Sequence, residues 1–289
     1  ETILTNNPMI ITTVKELREY LDLQRRSGKT IGFVPTMGFL HEGHLSLIRR
    51  AKAENDIVVV SDFVNPTQFG PNEDFESYPR DIRRDEELAT GAGADLIFYP
   101  SVEEIYPRGS STFVEVTGDI TRILCGASRP THFKGVTTVV TILFNIVQPQ
   151  KAYFGQKDAQ QAAVLMKMVA DLHMNIELVV CPIVREPDGL AMSSRNTYLS
   201  PEERAQAIIL NRALLEAKAA FETGEDDVEQ LTRLITGKIS EAPLASIDYV
   251  SIYAYPSLEP TETVKGKALA AVAVRFGKTR LIDNIILEK

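Results

Sequence analysis

Cysteine is scarce in this chain. Cys125 and Cys181 are the two thiols among 289 residues, too few for a disulfide framework, so a reducing cytoplasm is the expected setting. Neither sits beside a histidine or basic residue that would mark it as a nucleophile, and both are expected to be buried thiols. Long apolar runs are also lacking, which excludes a membrane-spanning helix. Positive charge is outweighed, 31 basic against 39 acidic residues for a net charge of −8. That balance argues against general binding to nucleic acid or anionic membranes, while leaving room for a local positive pocket. Glu1–Met9 lacks a basic segment followed by an apolar one, so no signal peptide is expected. No repeat or low-complexity tract occurs. The dinucleotide glycine fingerprint is missing, which disfavours a nicotinamide enzyme, and so is a Walker-type loop for γ-phosphoryl transfer. No Ser-His-Asp arrangement and no carboxylate pair suited to sugar cleavage is evident.

What is present is ordinary for a soluble globular protein with a real core: 44% hydrophobic and 24% charged residues. The length exceeds one average domain, so two are expected. The chain is organised around Pro35-Thr36-Met37-Gly38-Phe39-Leu40-His41-Glu42-Gly43-His44. Thr30–Val34 before it reads as a buried strand, and Leu45–Glu54 after it as a helix with Leu45, Ile48 and Ala51 on one face. The decapeptide is therefore a strand-to-helix turn. A helix N-terminus offers unpaired N–H groups to anions. His41 and His44 face the same way if the helix begins early, and Gly43 has no side chain to keep a phosphate off the backbone. H-x-x-H spacing also permits a metal, but no third ligand is apparent, because His132 and His173 are remote in sequence.

Along the chain, Thr13 caps a helix reaching about Ser27, with Glu16 as its capping-box partner. Asp56–Val64 is a nearly all-apolar strand, buried on both faces as in a parallel sheet, and leads into the Asn65-Pro66-Thr67-Gln68-Phe69-Gly70 loop. A helix at Asp81–Gly91, a strand at Asp95–Tyr99, a helical turn at Val102–Tyr106 and an edge strand at Thr112–Val116 follow. Val136–Val147 is an apolar helix and Lys151–Phe154 a strand. Gly155-Gln156-Lys157-Asp158 opens a helix striped by Ala159, Ala162, Ala163, Met166, Val169 and Ala170, and Ile176–Cys181 is a further strand. This alternation predicts a parallel α/β sheet, whose ligands lie beyond the carboxyl ends of its strands. The Pro35, Asn65 and Gly155 turns all lie at such ends.

Pro182–Asp188 reads as a linker. Beyond it, Ser200-Pro201-Glu202-Glu203 starts a helix to about Thr223, a second helix covers about Asp227–Ser240, and Ile247–Tyr253, Ala268–Arg275 and Arg280–Leu287 read as strands. This part is a small α+β domain. The division expected is 1–183 and 184–289.

Several residues suit phosphate chemistry. Lys157 follows a glycine at a helix start and can meet a phosphate as a point charge, although most lysines are merely solvated. Arg195 can present a fork to phosphate oxygens beside the Ser193 and Ser194 hydroxyls. Asn65, Gln68 and Gln161 suit recognition of hydroxyls and a carboxylate better than acid–base work. Met37, Phe63, Val139 and Val140 could supply an apolar wall or simply core. The inventory favours electrostatic stabilisation of a phosphate transition state over covalent catalysis.

The chain resembles the pantothenate synthetase family, ATP-dependent ligases that join pantoate to β-alanine. The resemblance rests on Pro35-Thr36-Met37-Gly38 with His41-Glu42-Gly43-His44, Phe63-Val64-Asn65-Pro66 with Gln68-Phe69, and Tyr78-Pro79-Arg80. It extends to Gly126-Ala127-Ser128-Arg129-Pro130 with His132-Phe133, Lys157-Asp158 with Gln160-Gln161, Ser193-Ser194-Arg195-Asn196 and Arg280-Leu281-Ile282-Asp283-Asn284. These span nearly the whole chain in order. The resemblance implies a Rossmann-like N-terminal domain, a smaller α+β C-terminal lid and a homodimer. It implies a pantoyl adenylate and pyrophosphate made from ATP and pantoate, then attack by β-alanine with release of AMP, on the route to coenzyme A. It implies ATP with Mg²⁺ held mainly by the nucleotide, and no tightly bound organic cofactor. Carried over by position, His44 is catalytic, with His41, Lys157 and Arg195 beside it. Met37–His44, Gly155–Asp158, Val184 and Met192–Arg195, including Met192, Ser193 and Ser194, contact the nucleotide. Gln68 and Gln161, with Asn65, hold the substrate acids. Three residues depart from the pattern: Gln156 where glutamate is common, Thr131 where glycine is common, and Asp62 where an apolar residue is common. A nucleotidyltransferase of the same superfamily acting on another small acid or phosphate is the alternative. A non-catalytic nucleotide-binding module is disfavoured by the retention of both histidines, Lys157 and Arg195.

Overall fold

The structure, a computed structural model, describes residues 9–289. Residues 1–8, most of the stretch read as lacking a leader, lie outside the described residues. No described helix is long and apolar enough to cross a membrane.

The elements alternate as the periodicities predict. In order they are β1 (Met9–Ile11), α1 (Val14–Arg26), β2 (Ile31–Thr36), α2 (Glu42–Glu54), β3 (Ile57–Asp62), α3 (Ile82–Ala92), β4 (Leu96–Phe98), α4 (Val102–Ile105), α5 (Cys125–Ser128), α6 (His132–Val147), β5 (Lys151–Gly155), α7 (Ala159–Asp171) and β6 (Glu177–Cys181). Then come α8 (Pro201–Ala207), α9 (Ile209–Glu222), α10 (Val228–Ile239), β7 (Ala245–Ala254), β8 (Lys267–Phe276) and β9 (Thr279–Glu288). Local chemistry sets the boundaries. Thr13 accepts the Glu16 N–H, Asp81 the Arg84 N–H, and Ser200 forms a reciprocal capping box with Glu203 ahead of α8.

The chain divides into two compact units. The first runs to Thr117 and includes Ser128–Gln156 and Val164–Cys181. The second is Gly118–Ala127, Lys157–Ala163 and Pro182–Lys289. The sequence points to one cut between 183 and 184; two short segments that precede it, Gly118–Ala127 and Lys157–Ala163, also group with the C-terminal residues, so α7 has its first turn in one unit and the rest in the other.

The first unit is built on a six-stranded sheet of order β1-β4-β3-β2-β5-β6, parallel throughout. Its inner strands β4, β3, β2 and β5 are buried on both sides over most of their length, which accounts for their apolar runs, whereas the edge strand β6 is only partly buried. Phe33 packs edge-to-face on Phe144 of α6, at a centroid distance of 6.3 Å, while its neighbour Val34 packs with Leu45 and Ile48 of α2. Helices thus cover both faces, as in a Rossmann-like fold. The strands β3, β2 and β5 are neighbours, so the loops that follow them leave the same edge of the sheet. The second unit carries the antiparallel sheet β7-β8-β9, with Leu210, Leu214, Leu231 and Ile235 of α9 and α10 packed in one core with Val272, Val274 and Leu281.

Some expectations are corrected. Thr112–Val116 is not a strand; the Val114 N–H donates to Thr138 Oγ1 (3.0 Å), and its carbonyl accepts from the Thr137 and Thr138 hydroxyls. Side chains of α6 thus satisfy backbone groups that a ladder would otherwise use. Helix α6 starts four residues earlier than its apolar pattern. The first C-terminal helix is broken at Ile208. On α7 the buried apolar residues are Ala159, Ala162, Ala163, Val164, Leu165 and Met168, whereas Ala170 is exposed, so the stripe is rotated from the expected one.

Candidate active site

The turn after β2 is held by its own side chains. His41 is the N-cap of α2, and its Nδ1 accepts the Gly43 N–H at 3.0 Å. His44 Nδ1 accepts the His41 N–H at 3.1 Å. The two rings lie 4.1 Å apart, tilted by 43°. A ring nitrogen that accepts from a backbone N–H carries no proton, so each neutral ring bears its proton on Nε2. The turn therefore presents two imidazole N–H donors whose tautomer the backbone sets. The absence of a side chain at Gly43 has a second consequence: a Cβ there would lie 2.6 Å from Cε1 of His41, so the glycine also makes room for the histidine ring. Glu42 is exposed and pairs with Arg49 of its own helix.

Below this turn, Asp85 of α3 is 1% exposed and accepts the N–H groups of Phe39 (2.9 Å) and Leu40 (2.8 Å). Arg84 donates to the Leu40 carbonyl at 2.9 Å and lies over the Phe39 ring. The turn is fixed from both sides before any ligand arrives.

The loop after β3 forms a second ordered patch. Asn65 is 1% exposed, and its amide is saturated. Nδ2 donates to Gln68 Oε1 (3.0 Å) and to the Gly135 carbonyl (3.1 Å), while Oδ1 accepts from Tyr106 (2.8 Å) and Thr67 (2.9 Å) hydroxyls. Burial raises the pKa of Tyr106, which keeps it a donor. Gln68 is thereby oriented, with its Nε2 3.3 Å from Met37 Sδ. His132, remote in sequence, lies with Nδ1 3.1 Å from the Gln68 carbonyl, and Arg129 forms an ion pair with Glu73 nearby. Sequence reasoning did not connect His132 and Arg129 to Gln68; their place in the Gly126–Phe133 motif was the available signal. Phe63, Val139 and Val140 are core, all buried. Thr131 sits at φ −102° as the first cap of α6, a conformation that needs no glycine.

In the second unit, Asn284 Nδ2 donates to the Lys157 carbonyl at 3.1 Å, and its neighbour Asp283, 3% exposed, receives both arms of Arg185 at 2.8 and 3.0 Å. Adjacent residues of β9 thus tie down the start of α7 and the beginning of the 184–195 loop. That loop doubles back, with the Met192 N–H donating to the Val184 carbonyl at 2.9 Å, so two expected nucleotide contacts are neighbours. Ser193 Oγ accepts the Arg195 N–H at 3.2 Å and starts a short 3-10 turn. Among the described residues, neither Lys157 nor Arg195 has a carboxylate partner, and the Gln161 side chain has no hydrogen bond, whereas Gln160 is fully engaged with Cys125, Ile120 and Ile123. Cys125 corrects the expectation of an isolated buried thiol. It is half-buried, with Arg280 Nη1 3.7 Å from Sγ and the Tyr249 hydroxyl at 3.6 Å. Burial and then Cys125 hold Tyr249 protonated, above its ordinary pKa. Cys181 is buried as expected, which pushes its thiol pKa up.

The expected residues therefore fall on both units. Met37, Gly38, Phe39, Leu40, His41, Glu42, Gly43, His44, Asn65, Gln68, Gly155 and Gln156 belong to the first. Lys157, Asp158, Gln161, Val184, Met192, Ser193, Ser194 and Arg195 belong to the second. No group of three or more His, Cys, Asp or Glu among the described residues could cage a metal ion.

Comparison with known proteins gives a consistent result. The family described as pantoate-beta-alanine ligase matches residues 9–286. The pantothenate synthetase of Acetivibrio thermocellus is 57% identical over 279 residues, 96% of this chain and 99% of that protein. The crystal structure of pantothenate synthetase from Thermus thermophilus superimposes with a TM-score of 0.91 at 48% identity, covering 97% of this chain and 100% of the other. A pantoate-beta-alanine ligase from Francisella tularensis, complexed with beta-gamma ATP and beta-alanine, gives 0.78 at 36% identity and covers 98% of each chain.

Proposed function

The chain belongs to the pantoate–β-alanine ligase family, and from that premise we propose how its residues join pantoate to β-alanine with ATP. The enzyme is a carbon–nitrogen ligase. A pantoate carboxylate oxygen attacks the α-phosphorus, the bond to the bridging oxygen breaks, and pyrophosphate leaves. The amine of β-alanine then attacks the acyl carbon of the adenylate and expels AMP, losing its proton to solvent or a nearby base.

The observation that carries the residue assignment is the pair of backbone-fixed histidines, whose protons stand on Nε2. Negative charge grows on the phosphate oxygens in the first step, and donors already aimed need no reorganisation as it does. His44 is assigned to that charge, with His41 beside it. Lys157 and Arg195, unpaired with any carboxylate among the described residues, complete its neutralisation. Met37–His44, Gly155–Asp158, Val184 and Met192–Arg195 hold the nucleotide. Gln68 and Gln161 hold pantoate, while Asn65, with its own amide saturated, acts by orienting Gln68. Magnesium enters as part of the nucleotide substrate. A homodimer in the cytoplasm is part of the proposal, and light scattering would test the oligomeric state.

Heavy-oxygen label in the pantoate carboxylate tests the chemistry. One labelled oxygen is expected in AMP. Label in inorganic phosphate, with ADP as product, would show attack on the γ-phosphate instead.

A further inference from the structure

Asp62, the last residue of β3, does not fit its place as an ordinary carboxylate. It is 6% exposed, and its Oδ2 has no hydrogen-bond partner among the described residues. Directly against it stands Gly38, where a Cβ would lie 2.2 Å from Asp62 Oδ1. Gly38 and Phe39 are both left-handed, at φ 75° and 49°, a strained arrangement for the phenylalanine. What holds it is Asp85, whose two oxygens accept the Phe39 and Leu40 N–H groups.

The charges around Asp62 are one-sided. Asp85 faces it from α3 and is the charged group acting on it. The β2 residue in register with it is Thr36, which is neutral. Arg84 is turned to the Leu40 carbonyl and the Phe39 ring, and the rings of His41 and His44 are held by backbone N–H groups at the start of α2. Two buried carboxyls side by side with no cation between them do not both ionise. Asp85 works as the acceptor, so the proton belongs to Asp62. Burial first, then Asp85 through hydrogen bonding and like charge, pushes Asp62 up to about 8.

We propose that Asp62 is a positioning residue that keeps its proton in the working enzyme and, through Asp85 and Gly38, sets the Gly38–Leu40 turn for the nucleotide, so that loss of this proton weakens ATP binding. The idea rests on the assignment of that turn to ATP. When the proton leaves to solvent, two negative charges lie beneath the strained turn. Their repulsion acts on the carboxylate that anchors Phe39 and Leu40, and the added charge opposes the approaching phosphates. An apolar residue at this position would pack against Gly38 without any such dependence on pH.

The sign of the stability effect follows from linkage. The unfolded chain ionises Asp62 near the ordinary value of about 4, whereas the folded chain holds the proton to about 8. Between these values the folded state binds more protons, so the site's contribution to stability falls as pH rises from about 4 to about 8 and is level above that.

The test compares wild type with Asp62→Asn, which keeps the shape and cannot ionise, from about pH 6.5 to about 9.5 in roughly unit steps, with saturating pantoate and β-alanine. In wild type, KM for ATP is expected to climb towards about tenfold per pH unit above about pH 8, as the competent fraction falls, with kcat little changed. In Asp62→Asn this rise is absent. Carbon-13 NMR of wild-type protein labelled at aspartate carboxyls needs no variant, and should show one buried carboxyl titrating near 8 and missing from Asp62→Asn. Superimposable KM profiles would overturn the positioning role, and a carboxyl titrating near the ordinary value of about 4 would overturn the proton assignment. If neither protein formed AMP at any pH, the ATP reading itself would fail, and the positioning role with it, while the NMR arm would still decide where the proton lies.

Discussion

The histidine turn of the first unit and the 184–195 loop of the second are both anchored by a buried aspartate, but they are anchored differently. Asp85 accepts two N–H groups of the turn itself, and the groups assigned to chemistry, the His41 and His44 rings, sit in the next residues with their Nδ1 atoms already bonded to backbone. Asp283 grips Arg185, at the start of its loop. Arg195 lies ten positions further on, exposed and without a carboxylate partner among the described residues. The first region fixes the direction of its donors in advance. The second fixes the start of its loop through Arg185 and leaves Arg195 exposed at the far end. Pre-fixed donors stabilise a transition state without reorganising, whereas a mobile guanidinium loses side-chain entropy when it binds. Damage to the first region should therefore appear mainly in kcat, and damage to the second mainly in KM.

The largest effect is expected from His44→Ala, which removes both an Nε2–H donor and the acceptor of the His41 N–H. Pyrophosphate release in the first half-reaction should fall by roughly 10²–10³, carried mostly by kcat. A loss seen chiefly in KM for ATP would erase the distinction between the two regions.

Arg195→Lys comes next. It keeps the charge and loses the second arm of the fork, worth about 1.5 kcal/mol or roughly tenfold. Steady-state kinetics should place that loss in KM for ATP. A kcat loss as large as that of His44→Ala would mean that the loop is as rigidly set as the turn.

Tyr106→Phe should have the smallest effect. It deletes one hydroxyl donor to Asn65 Oδ1 while Thr67 keeps another. The cost should be about 0.5–1.5 kcal/mol, read as a several-fold rise in KM for pantoate with ATP kinetics unchanged. An altered KM for ATP instead would show that the Asn65–Gln68 patch serves the nucleotide.

The two regions also differ in how far they could be read from sequence. The histidine turn was legible because its signals are local: an apolar strand, a glycine turn and a helical repeat, one directly after another. The expectation of a site at strand ends followed from the alternation of elements, and the structure adds that β3, β2 and β5 are neighbours. The three-residue strand β1 was too short to show a period. Thr112–Val116 looked like an edge strand, but threonine hydroxyls from α6 replaced its ladder. Both Asp283 and Asn284 were visible as part of a motif, yet their work could not be seen, because their partners Arg185 and Lys157 are 98 and 127 positions away.

By itself, the sequence determined the alternating α/β class, the family, the strand-to-helix turn and the residue types available for phosphate chemistry, since each rests on periodicity, capping or contiguous motifs. Only the tertiary structure decided which nitrogen of each histidine holds its proton, that Gly43 yields space to His41, that Asn65 orients Gln68, and that Asp62 faces Asp85. Those properties depend on which groups burial brings together and which partners remain to satisfy them, and that follows from packing across distant segments rather than from neighbours along the chain.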